Sequence, residues 1–387
     1  MKRVLCVLAA VLLFCGVVFA GTSQEEGVVV MTVPDTQGMS VGADAAIVME
    51  VKTGRVLFAQ NADERLPFAS TTKIMTALLA LEQPDLDAVF VVDTAAIQVE
   101  GSSMGLVEGD RASLRSLATG MLLASGNDAA NAAAVRISGS IPAFVELMNQ
   151  RAKAMGLQNT SFETPSGLDG ENHYSTAHDL ALLAREALQN DAFREISSQY
   201  KMRVSYGDPP YDRWLTNHNK LLNYYEGTYG VKTGFTKKAG RCLVSAAQQN
   251  GVELIIVTLN CPDDWNTHKS LYDRFFGELQ VEDLAGAMPD VRVPVTGGTA
   301  DGVAAVAYDT AQFPVSADDA EITYDIQVQP FLYAPISAGQ PVGTVHISIE
   351  GERVTTLTLI AGQNVPLKHP YVEEKNFLEK LIDFFTG

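Results

Sequence analysis

Two hydrophobic rhythms run along the chain. Ala45 to Val51 and Arg55 to Ala59 are short apolar runs around Lys52-Thr53-Gly54, which predicts a β-hairpin. From Ser70 to Leu81 the apolar positions Ile74, Ala77, Leu78 and Leu81 fall at helical spacing. Leu114 to Ala124 and Asp128 to Ile137 repeat that spacing and are interrupted at Ser125-Gly126-Asn127. Ile141 to Met155 and Ala177 to Leu188 predict two more helices. A β-rich run follows at Thr228 to Lys232, Arg241 to Ala247 and Val252 to Asn260, and Asn266 to Phe276 predicts a helix packed back on that sheet. Asn250-Gly251 reads as a two-residue hairpin turn.

Near residue 280 the rhythm changes to alternation of apolar and polar residues. Val291 to Val295, Val303 to Tyr308, Glu321 to Val328, Gly343 to Ile349 and Val354 to Ile360 are punctuated by Gly and Pro, which predicts a small all-β domain. Tyr371 to Gly387 returns to helical spacing, with Phe377, Leu378, Leu381, Ile382 and Phe385 on one stripe. The fold class is therefore α+β, an antiparallel sheet with helices followed by an all-β domain and an amphipathic helix. The expected boundaries are 43–280, 281–368 and 371–387.

The first residues are a different kind of signal. Lys2 and Arg3 precede the apolar run Val4 to Val18, and Val18-Phe19-Ala20 supplies small residues before Gly21. This predicts a signal peptide over 1–20, a loose leader over 21–42 and an exported, extracytoplasmic protein. Bulky Phe14 before Cys15 argues against a lipoprotein signal. A net charge of -18 makes nucleic acid a poor partner. Six His and four Cys, with no paired metal-ligand spacing, predict neither metal nor cofactor. After cleavage Cys242 and Cys261 remain, and the predicted turn sets them as diagonal neighbours about 7–8 Å apart. Buried thiols are the expectation and a disulfide the alternative.

The candidate chemistry lies in three short motifs. A serine hydroxyl needs an adjacent base to become a nucleophile. Ser70-Thr71-Thr72-Lys73 opens an apolar helix and sets Ser and Lys on one face. Burial would push the lysine toward its neutral form, able to accept the serine proton. The motif alone is weak, because Ser198-Gln199-Tyr200-Lys201 also fits it, in polar and aromatic surroundings with no apolar helical face. Lys-Thr-Gly likewise occurs at 52–54, in the predicted turn, and at 232–234, on a predicted strand. What discriminates is order: Ser70-x-x-Lys73, then Ser125-Gly126-Asn127 at a helix break, then Lys232-Thr233-Gly234 on a strand.

On these motifs the chain resembles the low-molecular-weight penicillin-binding proteins, the serine-type D-alanyl-D-alanine carboxypeptidases. Phe68 to Thr76, Pro165-Ser166-Gly167-Leu168, Ser175-Thr176-Ala177-His178-Asp179 and Gly230 to Thr236 are similar to that family's segments. The resemblance implies a β-lactamase/transpeptidase-like domain acting on peptidoglycan stem peptides, with β-lactams as covalent inhibitors. It implies that Ser70 attacks, Lys73 takes the proton and Ser125, assisted by Lys232, relays one to the leaving amine. Asn127 would bind the substrate amide or orient Lys73. Lys232, Thr233 and Gly234 would hold the terminal carboxylate, and the N–H groups of Ser70 and Phe235 would form the oxyanion hole. Peripheral membrane contact through the terminal helix is expected, although its two Lys and four acidic residues oppose anionic lipid.

Other residues carry weaker readings. His178 and Asp179 read as ordinary helix-start residues, and Thr216, Asn217 and His218 as either cleft-lining or a surface turn. Trp214 and Trp265 read as packing. A β-lactamase would need a carboxylate to activate water, and Glu171 lies in the relevant loop without a following Glu-x-x-x-Asn pattern. A transpeptidase on the same scaffold would carry the same motifs, as would a sensor that is acylated but does not turn over.

Overall fold

The computed structural model describes residues 38–316 and 321–369. The expected signal peptide, most of the leader and the terminal amphipathic helix lie outside the described residues.

A five-stranded sheet organises the first part. Its strands are β1 (Ala45–Glu50), β2 (Val56–Gln60), and, after the hairpin β3 (Lys201–Tyr206) and β4 (Tyr211–Thr216), β5 (Thr228–Thr236), β6 (Gly240–Gln249) and β7 (Val252–Leu259). The order across the sheet is β2-β1-β7-β6-β5, with every pairing antiparallel. The Asn250-Gly251 turn forms as predicted. Gln249 pairs with Val252, and both turn residues take left-handed backbone, φ 50° and 82°. Cys242 and Cys261 are two buried free thiols.

Six helices cover one face: α1 (Lys73–Leu81), α2 (Leu114–Leu123), α3 (Asn127–Ser138), α4 (Ile141–Ala154), α5 (Ala177–Ala187) and α6 (Asp191–Ser198). α1 is buried on every side, Lys73 included, because it packs against α2, α3, α5 and β5. α3 can run close to α2 because its buried positions Ala129, Ala130, Ala132, Ala133 and Ala134 are small. Ser113, Ser140, Thr176 and Asn190 cap α2, α4, α5 and α6 through their side chains. The expected helix from Ser70 is corrected at its start. Ala69–Thr72 is a 3₁₀ turn and the α-helix begins at Lys73. α6 and the β3–β4 hairpin follow where the sequence pattern predicts no element. The hairpin carries Trp214 exposed on its surface, not packed.

The other sheet face is covered by α7 (Asp264–Glu278). His268 of α7 is fully buried there and bridges two strands, with Nδ1 2.7 Å from Ser245 Oγ and Nε2 2.9 Å from Thr258 Oγ1. Ser245 also bonds Tyr272 at 2.7 Å.

The second part has its own core. A ribbon of β8 (Leu279–Asp283) with β11 (Gln312–Ser316) leads into a larger sheet. That sheet contains β9 (Val291–Thr296), β10 (Gly302–Ala307), β12 (Ile322–Val328), β13 (Pro341–Ile349) and β14 (Glu352–Ala361), ordered β12-β13-β14-β10-β9, with Leu332–Tyr333 at the edge. The Lys52-Thr53-Gly54 turn meets the ribbon. Lys52 Nζ donates to Gln312 O at 2.5 Å and lies over the Phe313 ring, while Arg55 Nη1 donates to Pro314 O at 3.4 Å. The first Lys-Thr-Gly copy is thus a joint between the two parts.

Burial holds His268 neutral, with a pKa near 3. An unfolded chain binds a proton there as pH falls below about 6.5, so the stability this residue gives is present above that pH and is lost as pH drops through about 3. His268→Ala is expected to cost roughly 2–4 kcal/mol at neutral pH, through a cavity and orphaned hydroxyls. It should also flatten the acid limb of stability in urea titrations run across pH.

Candidate active site

The site forms where the 3₁₀ turn, the start of α3 and the edge strand β5 converge. Three residues per turn stack i over i+3 in a 3₁₀ turn, so the lysine sits directly below the serine. Lys73 Nζ lies 2.9 Å from Ser70 Oγ. The same nitrogen donates to Asn127 Oδ1 at 2.7 Å and to Ser166 O at 2.6 Å. Those two oxygens can only accept. A neutral amine has two N–H bonds, and they take both, which leaves its lone pair facing the one partner that can donate, the Ser70 hydroxyl. The environment favours that neutral form. Burial drives the Lys73 pKa well below the usual amine range, the Lys232 charge adds to the effect, and the Asp128 carboxylate opposes it.

Each partner of Lys73 is itself fixed. Asn127 Nδ2 donates to Glu100 O at 2.6 Å, and its backbone N–H donates to Ser102 O at 2.7 Å. Asp128 folds the loop over the site, accepting from the N–H groups of Met104, Gly105 and Leu106 and from Ser103 Oγ. The loop 163–174 delivers the Ser166 carbonyl. It is tied to the end of β5 by Thr236 Oγ1 donating to Asp169 at 2.9 Å and Lys238 Nζ donating to Gly170 O at 2.9 Å.

Two site residues adopt left-handed backbone without being glycine: Ala69, φ 48°, and Ser125, φ 58°. Such conformations cost about 1–3 kcal/mol and persist only where surrounding structure imposes them. Ala69 turns the chain so that Ser70 faces the cleft. Ser125 Oγ accepts from Lys232 Nζ at 3.1 Å, and that ammonium also donates to Thr233 O at 2.8 Å. Burial brings the Lys232 pKa down to about 7. Gly234 permits β5 to approach the turn before Ser70 closely. A Cβ there would lie 3.0 Å from Phe68 O and 3.1 Å from Ser70 N.

The cleft, about 300 Å³, is lined by Ser70, Ser125, Thr233, Gly234 and Phe235 among others. The structure therefore brings Ser70, Lys73, Ser125, Asn127, Lys232, Thr233, Gly234 and Phe235 together. It leaves Ser198 and Lys201 outside: Ser198 Oγ donates to Glu195 O, and Lys201 stacks on Trp214. Ser198 does end a helix with an apolar face, since α6 buries Phe193 and Ile196.

The residues with weaker sequence signals also find their places. His218 and Ser102 line the cleft. Asn217 and Asn219 are buried, and Asn219 Nδ2 donates to Gly230 O at 2.7 Å, tying this segment to β5. Trp265 packs against the core as expected and also lines the cleft beside the Arg241–Asp264 ion pair. Asp179 accepts from Asn159 N and Thr160 Oγ1, and His178 pairs with Asp63, away from the cleft. Glu171 is exposed. Asp128, the Ser166 carbonyl and Ser102 carry no signal in the sequence pattern that points to the site.

Gly167 offers a direct check on the loop. It has φ 86°, and a Cβ there would lie 2.1 Å from Ala69 O. Gly167→Ala is expected to slow labelling of Ser70 by a fluorescent penicillin at least tenfold, with the circular dichroism spectrum unchanged.

Comparison with known proteins agrees with this geometry. The D-alanyl-D-alanine carboxypeptidase family model matches residues 31–263, and the model of the penicillin-binding protein 5 C-terminal domain matches residues 287–367. The chain is 34% identical to the D-alanyl-D-alanine carboxypeptidase DacF of Bacillus subtilis, over 82% of this chain and 84% of that one. It is 33% identical to DacC of Escherichia coli, covering 89% and 88%. The solved DacD from Francisella tularensis superposes with a TM-score of 0.65 at 28% identity, covering 86% of this chain and 95% of that one. The Streptomyces K15 DD-transpeptidase gives 0.57 at 31% identity, covering 61% and 98%. With a match over most of its length and a serine, a buried lysine and an edge strand in mutual contact, the chain belongs to the D-alanyl-D-alanine carboxypeptidase family.

Proposed function

We propose that Ser70 is the acylated nucleophile of a serine-type D-alanyl-D-alanine carboxypeptidase that trims peptidoglycan stem peptides. The observation that carries this is the 2.9 Å contact between Ser70 Oγ and a buried Lys73 whose two N–H bonds are already committed. Ser70 Oγ attacks the carbonyl between two D-alanines as its proton passes to Lys73 Nζ. The carbonyl oxygen becomes an anion held by the N–H groups of Ser70 and Phe235. Collapse of this intermediate breaks the C–N bond, and the proton held by Lys73 passes through Ser125, backed by Lys232, to the leaving amine. Water then hydrolyses the ester and frees Ser70. Lys232 and Thr233 hold the substrate's terminal carboxylate, a role suited to a buried ammonium beside a hydroxyl. Asn127 orients Lys73, as its 2.7 Å contact supports. β-Lactams acylate Ser70 by the same steps.

The proposal extends to organisation: a catalytic region over 43–280, an all-β region over 281–368, export directed by residues 1–20 and a location at the outer face of the cytoplasmic membrane. The terminal segment 371–387 would supply the membrane contact.

Ser70→Ala is expected to abolish both fluorescent-penicillin labelling and D-alanine release, whereas Ser198→Ala spares both. Mass spectrometry of the adduct locates the acylated residue, and a label on any other serine overturns the assignment. Hydrolysis predicts that D-alanine release continues without an amine acceptor. If release required one, the protein would be a transpeptidase.

Lys232→Met gives an independent check. The Lys232 charge lowers the Lys73 pKa, so its removal makes Lys73 easier to protonate. A neutral base then requires a higher pH. The acidic limb of the acylation profile should move to higher pH, measured by penicillin acylation rates across pH.

A further inference from the structure

The loop 163–174 holds a histidine that the proposed mechanism does not use. His173 is only 4% exposed, and its ring stacks flat on Phe68, with centroids 4.7 Å apart and planes 5° from parallel. Phe162 closes one edge at 6.2 Å. Its two nitrogens have different partners. The backbone N–H of Glu163 points at Nδ1 from 2.9 Å. A backbone N–H can only donate, so Nδ1 accepts and the ring proton sits on Nε2. Nε2 lies 2.8 Å from Thr72 Oγ1 and donates to it. Thr72 Oγ1 in turn donates to Ala69 O at 2.8 Å. A directed chain thus runs from Glu163 N–H through His173 and Thr72 to the carbonyl of Ala69.

Ala69 is the residue with left-handed backbone immediately before Ser70. A non-glycine residue does not stay there unaided. His173 grips this turn from both sides: its ring covers Phe68, and its hydrogen bond reaches Ala69 through Thr72. We propose that His173 is a positioning residue which, acting through Thr72, holds the Ala69 turn so that Ser70 Oγ meets Lys73 and the Ser70 N–H meets the cleft. The inference rests on Ser70 being the nucleophile.

The role requires a neutral ring, since a protonated Nδ1 would face the Glu163 N–H donor to donor. Burial keeps it neutral, with a pKa near 4 despite the nearby Glu163 and Asp169 carboxylates, and the Lys238 ammonium assists. A misplacement of the nucleophile by a fraction of an ångström slows the bond-forming step far more than it weakens binding.

The test separates packing from hydrogen bonding. His173→Phe keeps a ring on Phe68 and removes both hydrogen bonds. Thr72→Val keeps the shape of Thr72 and removes its hydroxyl, and Thr72→Ser restores it. Stopped-flow acylation by a fluorescent penicillin yields the acylation rate constant and the non-covalent dissociation constant separately. His173→Phe and Thr72→Val should each lower the rate constant at least tenfold, with the dissociation constant changed less than threefold and Thr72→Ser close to wild type. The double variant should be no slower than the slower single variant, because both changes cut one chain. Folded His173→Phe or Thr72→Val that acylates within twofold of wild type overturns the proposal, as do effects that multiply in the double variant. If His173→Phe does not fold, Thr72→Val decides on the same thresholds, and failure of both to fold assigns the pair to packing and overturns it. Ser70→Ala serves as control: labelling of that variant would refute the nucleophile assignment itself, whereas an inert Ser70→Ala beside a normal His173→Phe refutes only the positioning role.

Discussion

An amine buried without a carboxylate partner is the constraint around which the rest of the catalytic region is arranged. None of the ion pairs among the described residues includes Lys73 or Lys232. A buried, uncompensated ammonium is costly, so burial pushes Lys73 toward its neutral form. It can do so usefully only if its remaining N–H bonds are occupied by groups that cannot take part in the chemistry. Asn127 Oδ1 and Ser166 O meet that need. The all-apolar face of α1, the alanine-rich α3 and the loop 163–174 are the scaffolding that delivers those two oxygens to a dry place. The second amine differs by degree. Lys232 is nearly as deeply buried, but it donates to the cleft-lining Ser125 Oγ and its pKa falls only to about 7.

Much of this is legible in the residues. The helix periodicity, the Asn250-Gly251 turn and the alternation beyond residue 280 reflect local rules that tertiary context does not override. The ordered triplet of motifs separates Ser70 from Ser198 and Lys232 from Lys52, where single motifs cannot. The decoys prove to be ordinary structure: Ser198 ends a helix, and Lys52 is part of a joint with the second region.

What stays hidden has physical reasons. The Ser166 carbonyl is backbone, and no side-chain pattern reports where a loop points its oxygens. His173 is a lone histidine among polar loop residues, and its partner Thr72 reads as filler within Ser-x-x-Lys. Asp128 looks like a helix-start acid, yet it organises a loop some twenty residues upstream through three backbone N–H groups. Trp214 departs from the packing role expected of it and Trp265 does not, because an indole's burial depends on which element covers it. The 3₁₀ start of α1 is invisible in the pattern because 3₁₀ and α spacing are indistinguishable over a single turn.

The near-contact between Ala69 and Gly234 has a consequence for redesign. A Cβ at 234 would sit 3.2 Å from the Ala69 methyl, so these two small residues act as a gauge block between the turn before Ser70 and the strand. A side chain at 234 would require the Ala69 turn or the strand to give by a few tenths of an ångström. Phe235 and Trp265, which line the same cleft with larger side chains, are therefore the natural positions for reshaping it.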